Sequence, residues 1–258
     1  MSTILTERDG PVLRVTLNRP EVRNAFDERV IASLASVAAD AAQDHTLRAV
    51  VLAGSGKAFC AGADVAWMSK SIAYSQRENL SDAEDLARML ERLDTLPVPV
   101  IGRIQGAALG GGVGLAAVCD VAIAADDAVF ALSEVKLGIL PAVVAPYVIR
   151  KIGVSAAREL FLTGSRFGAV RAKEIGLVHE VVPPAELDGA ITRLLAEIMT
   201  AGPRAIATAK ALIREIAGVH PNDVIGLTTN TIAAQRVSAE GQEGLRAFLE
   251  KRKPGWIG

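Results

Sequence analysis

Gly106-Ala107-Ala108-Leu109-Gly110-Gly111-Gly112-Val113-Gly114 is the stretch on which the fold turns. Before it, residues 98–104 read as a strand entered through Pro97 and Pro99. After it, residues 115–118 read as a short helix. A strand that passes through such a turn into a helix leaves first-turn N–H groups without partners. With no Cβ in the way, a ligand can approach them closely. Lys57-Ala58-Phe59-Cys60-Ala61-Gly62-Ala63-Asp64 repeats the arrangement behind a second apolar run, residues 47–53, which stops at Gly54-Ser55-Gly56. Two donors converging on one oxygen would make an oxyanion hole. The plainer reading is that these glycines only permit tight turns and close helix–strand packing.

Outward from these turns, residues 12–17 read as a strand ending at Asn18-Arg19-Pro20. Residues 27–43 carry Val30, Ile31, Leu34, Val37, Ala38 and Ala41 at helical spacing. A polar loop and a helix over 76–96 follow, and residues 121–124 and 129–131 read as strands. After about Ser133 the pattern changes. Helices are expected over 144–152, 155–162, 169–175, 185–200, 203–217 and 238–251, with one strand at 178–182. Strands and helices alternating first, and helices collecting later, argue an α/β core over residues 1–200 and a helical region over 201–258.

Composition excludes several classes. The 258 residues are 50% hydrophobic but only 4% aromatic, so the core is built from Ala, Val, Leu and Ile. Basic and acidic residues number 28 and 29, and no basic run marks a nucleic-acid footprint. Cys60 and Cys119 form no C-x-x-C pair, and with His45, His179 and His220 scattered, no metal site is expected. Residues 1–10 are polar and lack an apolar signal core, and no apolar run spans a membrane. These features predict a soluble, cytoplasmic protein of a reducing compartment.

Three motifs fail on inspection. Gly54-Ser55-Gly56-Lys57 lacks the glycine and hydroxyl of a phosphate loop, since Val51 and Ala58 stand there. Gly112-x-Gly114-x-x-Ala117 matches a dinucleotide fingerprint but sits mid-chain inside a denser small-residue run. No G-x-S-x-G elbow is present. The candidate proton carrier is Glu134, in the apolar setting Leu132-Ser133-Glu134-Val135. Partial burial would raise its pKa and fit it for proton transfer near neutrality.

Taken together, these segments resemble the crotonase superfamily, the enoyl-CoA hydratases and isomerases. The likeness runs from Asn18-Arg19-Pro20 and Asn24-Ala25-Phe26 through both turns to Cys119-Asp120, Ser133-Glu134 and Leu137-Gly138. It continues with Thr163-Gly164, Gly176-Leu177-Val178, Glu243-Gly244 and Phe248-Leu249-Glu250-Lys251-Arg252. The resemblance implies a spiral of β-β-α units with a helical C-terminal trimerisation region, assembling as a homotrimer or a hexamer. It implies an acyl-CoA substrate, with coenzyme A part of that substrate and no separate cofactor. The Ala63 and Gly111 N–H groups match the oxyanion hole and Glu134 the catalytic carboxylate. Arg23, Ala25, Ala61, Asp64 and Val65 fall where the family wraps coenzyme A, and Phe248 and Lys251 where a neighbouring subunit's coenzyme would be reached. Trp67, Met68 and Gly114 are expected at the acyl pocket.

Two departures matter. Two-carboxylate hydratases carry a second Glu where this chain has Gly114. Glu84, Asp85 and Asp120 are candidate substitutes. The segment Pro141-Ala142-Val143-Val144-Ala145-Pro146-Tyr147 resembles the branch acting on branched or carboxylated enoyl-CoAs, the methylglutaconyl-CoA type. The expected activity is hydration of a 2-enoyl-CoA, with Δ3,Δ2-enoyl-CoA isomerisation by Glu134 alone as the alternative.

Overall fold

The computed structural model describes residues 2–257. The chain opens with an antiparallel hairpin, β1 (Ile4–Asp9) and β2 (Val12–Leu17), in register from Ile4↔Leu17 to Asp9↔Val12. β1 was not expected, and only Ile4 of its side chains is buried, so it carries almost no apolar alternation. Helix α1 (Glu28–Gln43) starts at Asp27, whose carboxylate accepts from the Arg29 and Val30 N–H groups. Then come β3 (Ala49–Gly54), α2 (Val65–Ser71) and α3 (Gln76–Asp94), the last begun by a Ser75–Glu78 capping box. Next are β4 (Val100–Ile104), β5 (Ala107–Leu109), α4 (Gly111–Val118), β6 (Val121–Ala125) and β7 (Val129–Ala131). A 3-10 turn at Glu134–Leu137 precedes α5 (Ala145–Thr163), which breaks at Gly153, where φ is 74°. The two helices expected over this range are therefore halves of one kinked element. The chain closes with β8 (Arg166–Gly168), α6 (Ala169–Glu174), β9 (Glu180–Val182), α7 (Leu187–Thr200), α8 (Pro203–Ile216), α9 (Ile225–Val237) and α10 (Ala239–Leu249).

One sheet runs β1-β2-β3-β4-β6-β9 and is parallel after the first hairpin; a second runs β5-β7-β8. Two parallel bridges, Phe26↔Ala63 and Cys60↔Ala108, extend the second sheet toward the N-terminus. The repeat is then visible. Each turn places one strand in the large sheet, one short extended piece beside the small sheet, and then a helix. β2, Phe26 and α1 make one turn; β3, Cys60–Ala63 and α2 the next; β4, β5 and α4 the third; β6, β7 and the 3-10 turn the fourth. This is the β-β-α spiral that the resemblance implied.

Both faces of the large sheet are covered, which is why β3 reads as an unbroken apolar run. Val50 and Leu52 face the main core with Leu34, Leu90 and Val113, whereas Ala49 and Val51 face Leu187, Ala190 and Ile191 of α7. In contrast, α8 and α9 bury no residue among those described, and α10 buries Ala247 only. Lys210 of α8 is tied to the core, donating to Asp120 Oδ2 at 2.7 Å and to the Val98 carbonyl at 3.1 Å. Helix α9 is not legible in the sequence because its face lacks helical apolar spacing; Thr228, Thr229 and Thr231 donate their hydroxyls to the carbonyls of Ile225 and Leu227 in the same helix.

The loop between β2 and α1 is pinned by Asn24, which is 1% exposed and sits at φ 58°. Its Oδ1 accepts from the Arg19 N–H at 2.9 Å, and its Nδ2 donates to the Ser55 and Ala58 carbonyls at 2.9 and 2.8 Å. Asn24→Ala would strand buried polar groups and force a methyl side chain into the left-handed region. The expected loss is about 2–4 kcal/mol. Urea denaturation checks it: the midpoint falls while the slope is unchanged.

Candidate active site

The spiral brings the same part of three successive turns to one place. Ala63 ends the extended piece before α2, Gly111 opens α4, and Glu134 opens the 3-10 turn after β7. All three line a cavity of about 580 Å³. Gly62 and Gly110 make the close approach possible. A Cβ on Gly62 would lie 2.9 Å from the Leu109 carbonyl oxygen, and one on Gly110 would lie 2.9 Å from Glu134 Oε1. Both residues also have positive φ, 90° and 51°, where side chains are strained.

The two backbone donors are free. At the Phe26↔Ala63 bridge the ladder uses the Phe26 N–H to the Gly62 carbonyl and the Asp64 N–H to the Phe26 carbonyl, both at 2.7 Å. The Ala63 N–H therefore points away from that ladder and has no protein acceptor among the described residues. The Gly111 N–H belongs to the first turn of α4, and it too has none. Glu134 completes the set. Its Oε2 is buried without a hydrogen-bond partner, and burial pushes its carboxyl above the ordinary carboxylate range.

Apart from Asn79 and Ser133, the other side chains lining the cavity are apolar. Trp67 and Met68 of α2 and Ala83 and Leu86 of α3 form one wall; Leu137, Ile139, Leu140 and Pro141 form another. Among the described residues Glu134 is its only titratable lining residue. A second cavity of about 300 Å³ shares Ala61 and Ala63 with the first and is also lined by Arg23, Ala25, Asp64 and Val65. So all five residues expected to wrap coenzyme A gather there. Asp64 already has tasks of its own: it caps α2 through the Ala66 N–H at 2.7 Å and pairs with Arg19 at 2.8 Å. Burial pushes its carboxyl up, but the Ala66 N–H, then Arg19 and the Trp67 N–H, outweigh it and make the group more acidic than usual.

Several expectations need correction. Gly114 does not line the acyl cavity; it is buried within α4, and a Cβ there would lie 2.3 Å from Val144 Cγ1. Val144, from the segment before α5, lines the cavity and fills that space instead. None of the substitute acids reaches the site. Glu84 and Asp85 pair with Arg88 on the exposed side of α3, and Asp120 holds Lys210 and the Val100 N–H. Phe248 and Lys251, expected at a neighbouring subunit's coenzyme and not at this chain's own, lie at the end of α10, outside both cavities, with Phe248 81% exposed, which is compatible with that expectation. The sequence reading also passed over α2, although Asp64 before Val65-Ala66-Trp67-Met68 is a helix-start signal. Arg19, Phe26 and Asn24 show in the sequence only as parts of motifs, yet they carry the framework that holds Ala63.

Residues 7–258 match the family described as enoyl-CoA hydratase/isomerase. The chain belongs to the enoyl-CoA hydratase/isomerase family. An enoyl-CoA hydratase from Shewanella pealeana of known crystal structure superposes with a TM-score of 0.95 at 40% identity, covering 98% of this chain and 96% of that one. The crotonyl-CoA hydratase of Syntrophomonas wolfei is 31% identical over 256 residues, 98% of this chain and 97% of that protein. An enoyl-CoA isomerase/hydratase of Mycosarcoma maydis is 34% identical over 260 residues, 96% of this chain and 93% of that protein. The chain is thus an enzyme of the crotonase superfamily, whose members act on acyl-CoA substrates. Among its described residues no helix is long and apolar enough to cross a membrane, and no group of three His, Cys, Asp or Glu is arranged to hold a metal ion.

Proposed function

We propose that this family member hydrates a 2-enoyl-CoA through an enolate held by the Ala63 and Gly111 N–H groups. The observation that carries the reading is the unpartnered, buried Glu134 oxygen in the same apolar cavity as two unpartnered backbone donors. The thioester carbonyl would accept both N–H groups, and its oxygen would gather charge as water adds to the β-carbon. Glu134 would take a proton from that water and return it to the α-carbon, so one carboxylate serves both halves of the addition and water is the net reagent. The crotonyl-CoA hydratase relative supports this direction.

A second reading, Δ3,Δ2-enoyl-CoA isomerisation, is favoured by the single titratable group in the cavity. One carboxylate that removes a proton and returns it two carbons away needs no water-activating partner. Crotonyl-CoA and a 3-enoyl-CoA separate the two. Loss of conjugated absorbance with the first is the expected result. An inert crotonyl-CoA beside conjugation of the 3-enoyl-CoA would replace hydration with isomerisation.

The cavity wall holds no Lys, Arg or His among the described residues, so the reading favours an uncharged acyl chain over the carboxylated one suggested by the Pro141–Tyr147 segment. Arg23, Ala25, Ala61, Asp64 and Val65 are proposed to wrap the coenzyme, which is part of the substrate, and no further cofactor is proposed. The helical region after residue 200 is proposed as the surface for self-association into trimers or hexamers. Exposed Ile213, Val237, Leu245, Phe248 and Leu249 support that assignment.

A further inference from the structure

We propose that Trp67 is the end wall of the acyl cavity and sets the length of acyl chain the site admits. The proposal rests on the reading of that cavity as an acyl-CoA site. A separate cavity of about 290 Å³ lies among α1, α2 and α3, lined by apolar Ile31, Ala32 and Ala35 and by the charged Glu28, Asp82, Asp85, Arg88 and Arg92. Among the described residues Trp67 is the only one that lines both this space and the 580 Å³ cavity. The indole therefore stands between two spaces that would otherwise join.

The wall is fixed at three points. The indole Nε1–H donates to Asp82 Oδ2 of α3 at 3.1 Å. The start of α2 is held through Asp64, which caps it and pairs with Arg19 at 2.8 Å. Its other end is held by Lys70, which pairs with Glu28 of α1 at 2.7 Å. An aromatic ring anchored this way shares the lining of the acyl cavity with Met68, Ala83 and Leu86 while its polar edge is satisfied by Asp82. A chain growing from the thioester meets the ring, and the next free volume lies behind it.

Calorimetric titration of saturated acyl-CoA thioesters of increasing length into wild type, Trp67→Ala and Asp82→Ala tests this. Turnover of the matching 2-enoyl-CoAs is measured in parallel. Wild-type affinity should stop rising at a definite length. Trp67→Ala should move that limit to longer chains and raise the long-to-short affinity ratio about tenfold, the worth of one to two buried methylenes. Asp82→Ala, which unpins the ring, should shift the ratio the same way by less. An unchanged length profile in Trp67→Ala would overturn the proposal. If that variant does not melt cooperatively, Trp67→Leu keeps apolar contact, drops the ring and is read by the same ratio. A shifted binding profile without turnover of any enoyl-CoA would uphold the wall and overturn the hydratase reading. No binding of any acyl-CoA to wild type would overturn both.

Discussion

Glu134→Gln is expected to lower turnover by about 10²–10⁴ while leaving acyl-CoA binding close to wild type. The glutamine amide matches the carboxylate in shape, so the cavity wall and the Gly110 contact are preserved. What is lost is the proton carrier, and among the described residues the lining offers no other. Steady-state kinetics beside calorimetric titration of a saturated acyl-CoA would check the split. Retention of near-normal turnover would remove Glu134 from the mechanism. The same substitution should change stability in a pH-dependent way. Burial raises the folded-state pKa of Glu134 above its unfolded value. Between those two values the native chain binds more protons than the unfolded chain, so this group makes wild-type stability fall as pH rises. Glutamine has no such dependence. Thermal melts should therefore place Glu134→Gln above wild type at neutral pH, with the gap closing as pH falls to the ordinary carboxylate range. A gap that widened toward acid would contradict the burial argument.

Gly111→Ala is expected to cost as much through the other half of the site. A Cβ at this position would lie 2.5 Å from Phe26 Cε2 and 2.8 Å from Cδ2. Phe26 is 1% exposed and has nowhere to retreat. Its backbone also forms the bridge that orients Ala63. One added methyl group would thus press on both proposed donors, displacing the Gly111 N–H directly and the Ala63 N–H through Phe26. The expected fall in kcat is about 10²–10³, comparable to losing one oxyanion-hole donor. Overpacking should add a stability loss of about 1–3 kcal/mol. Combining it with Phe26→Leu makes room for the methyl group and should recover part of both losses. A Gly111→Ala enzyme with wild-type kcat would exclude that N–H from oxyanion stabilisation.

Much of this was written locally. The run over residues 47–53, the glycine turn at 106–114 and the amphipathic stretch at 27–43 each specify an element through near-neighbour physics. Glu134 was a candidate because its neighbours in sequence are apolar, and its unpartnered buried oxygen accords with that setting. Short elements were less legible. β5 and β8 have three residues each, too few for any period to show. β1 has a single buried side chain.

What only the tertiary structure decided concerns residues far apart in the chain. Sequence alone determined that glycine-rich turns follow strands and expose N–H groups, because that depends on missing side chains and on a strand passing into a helix. It could not determine that the Ala63, Gly111 and Glu134 turns stack on one cavity, since that depends on the pitch of the spiral. Nor could it show that Val144 fills the space beside Gly114, or that Trp67 divides two cavities. Those facts depend on how side chains from different turns share volume, and packing is settled only when the turns are in contact.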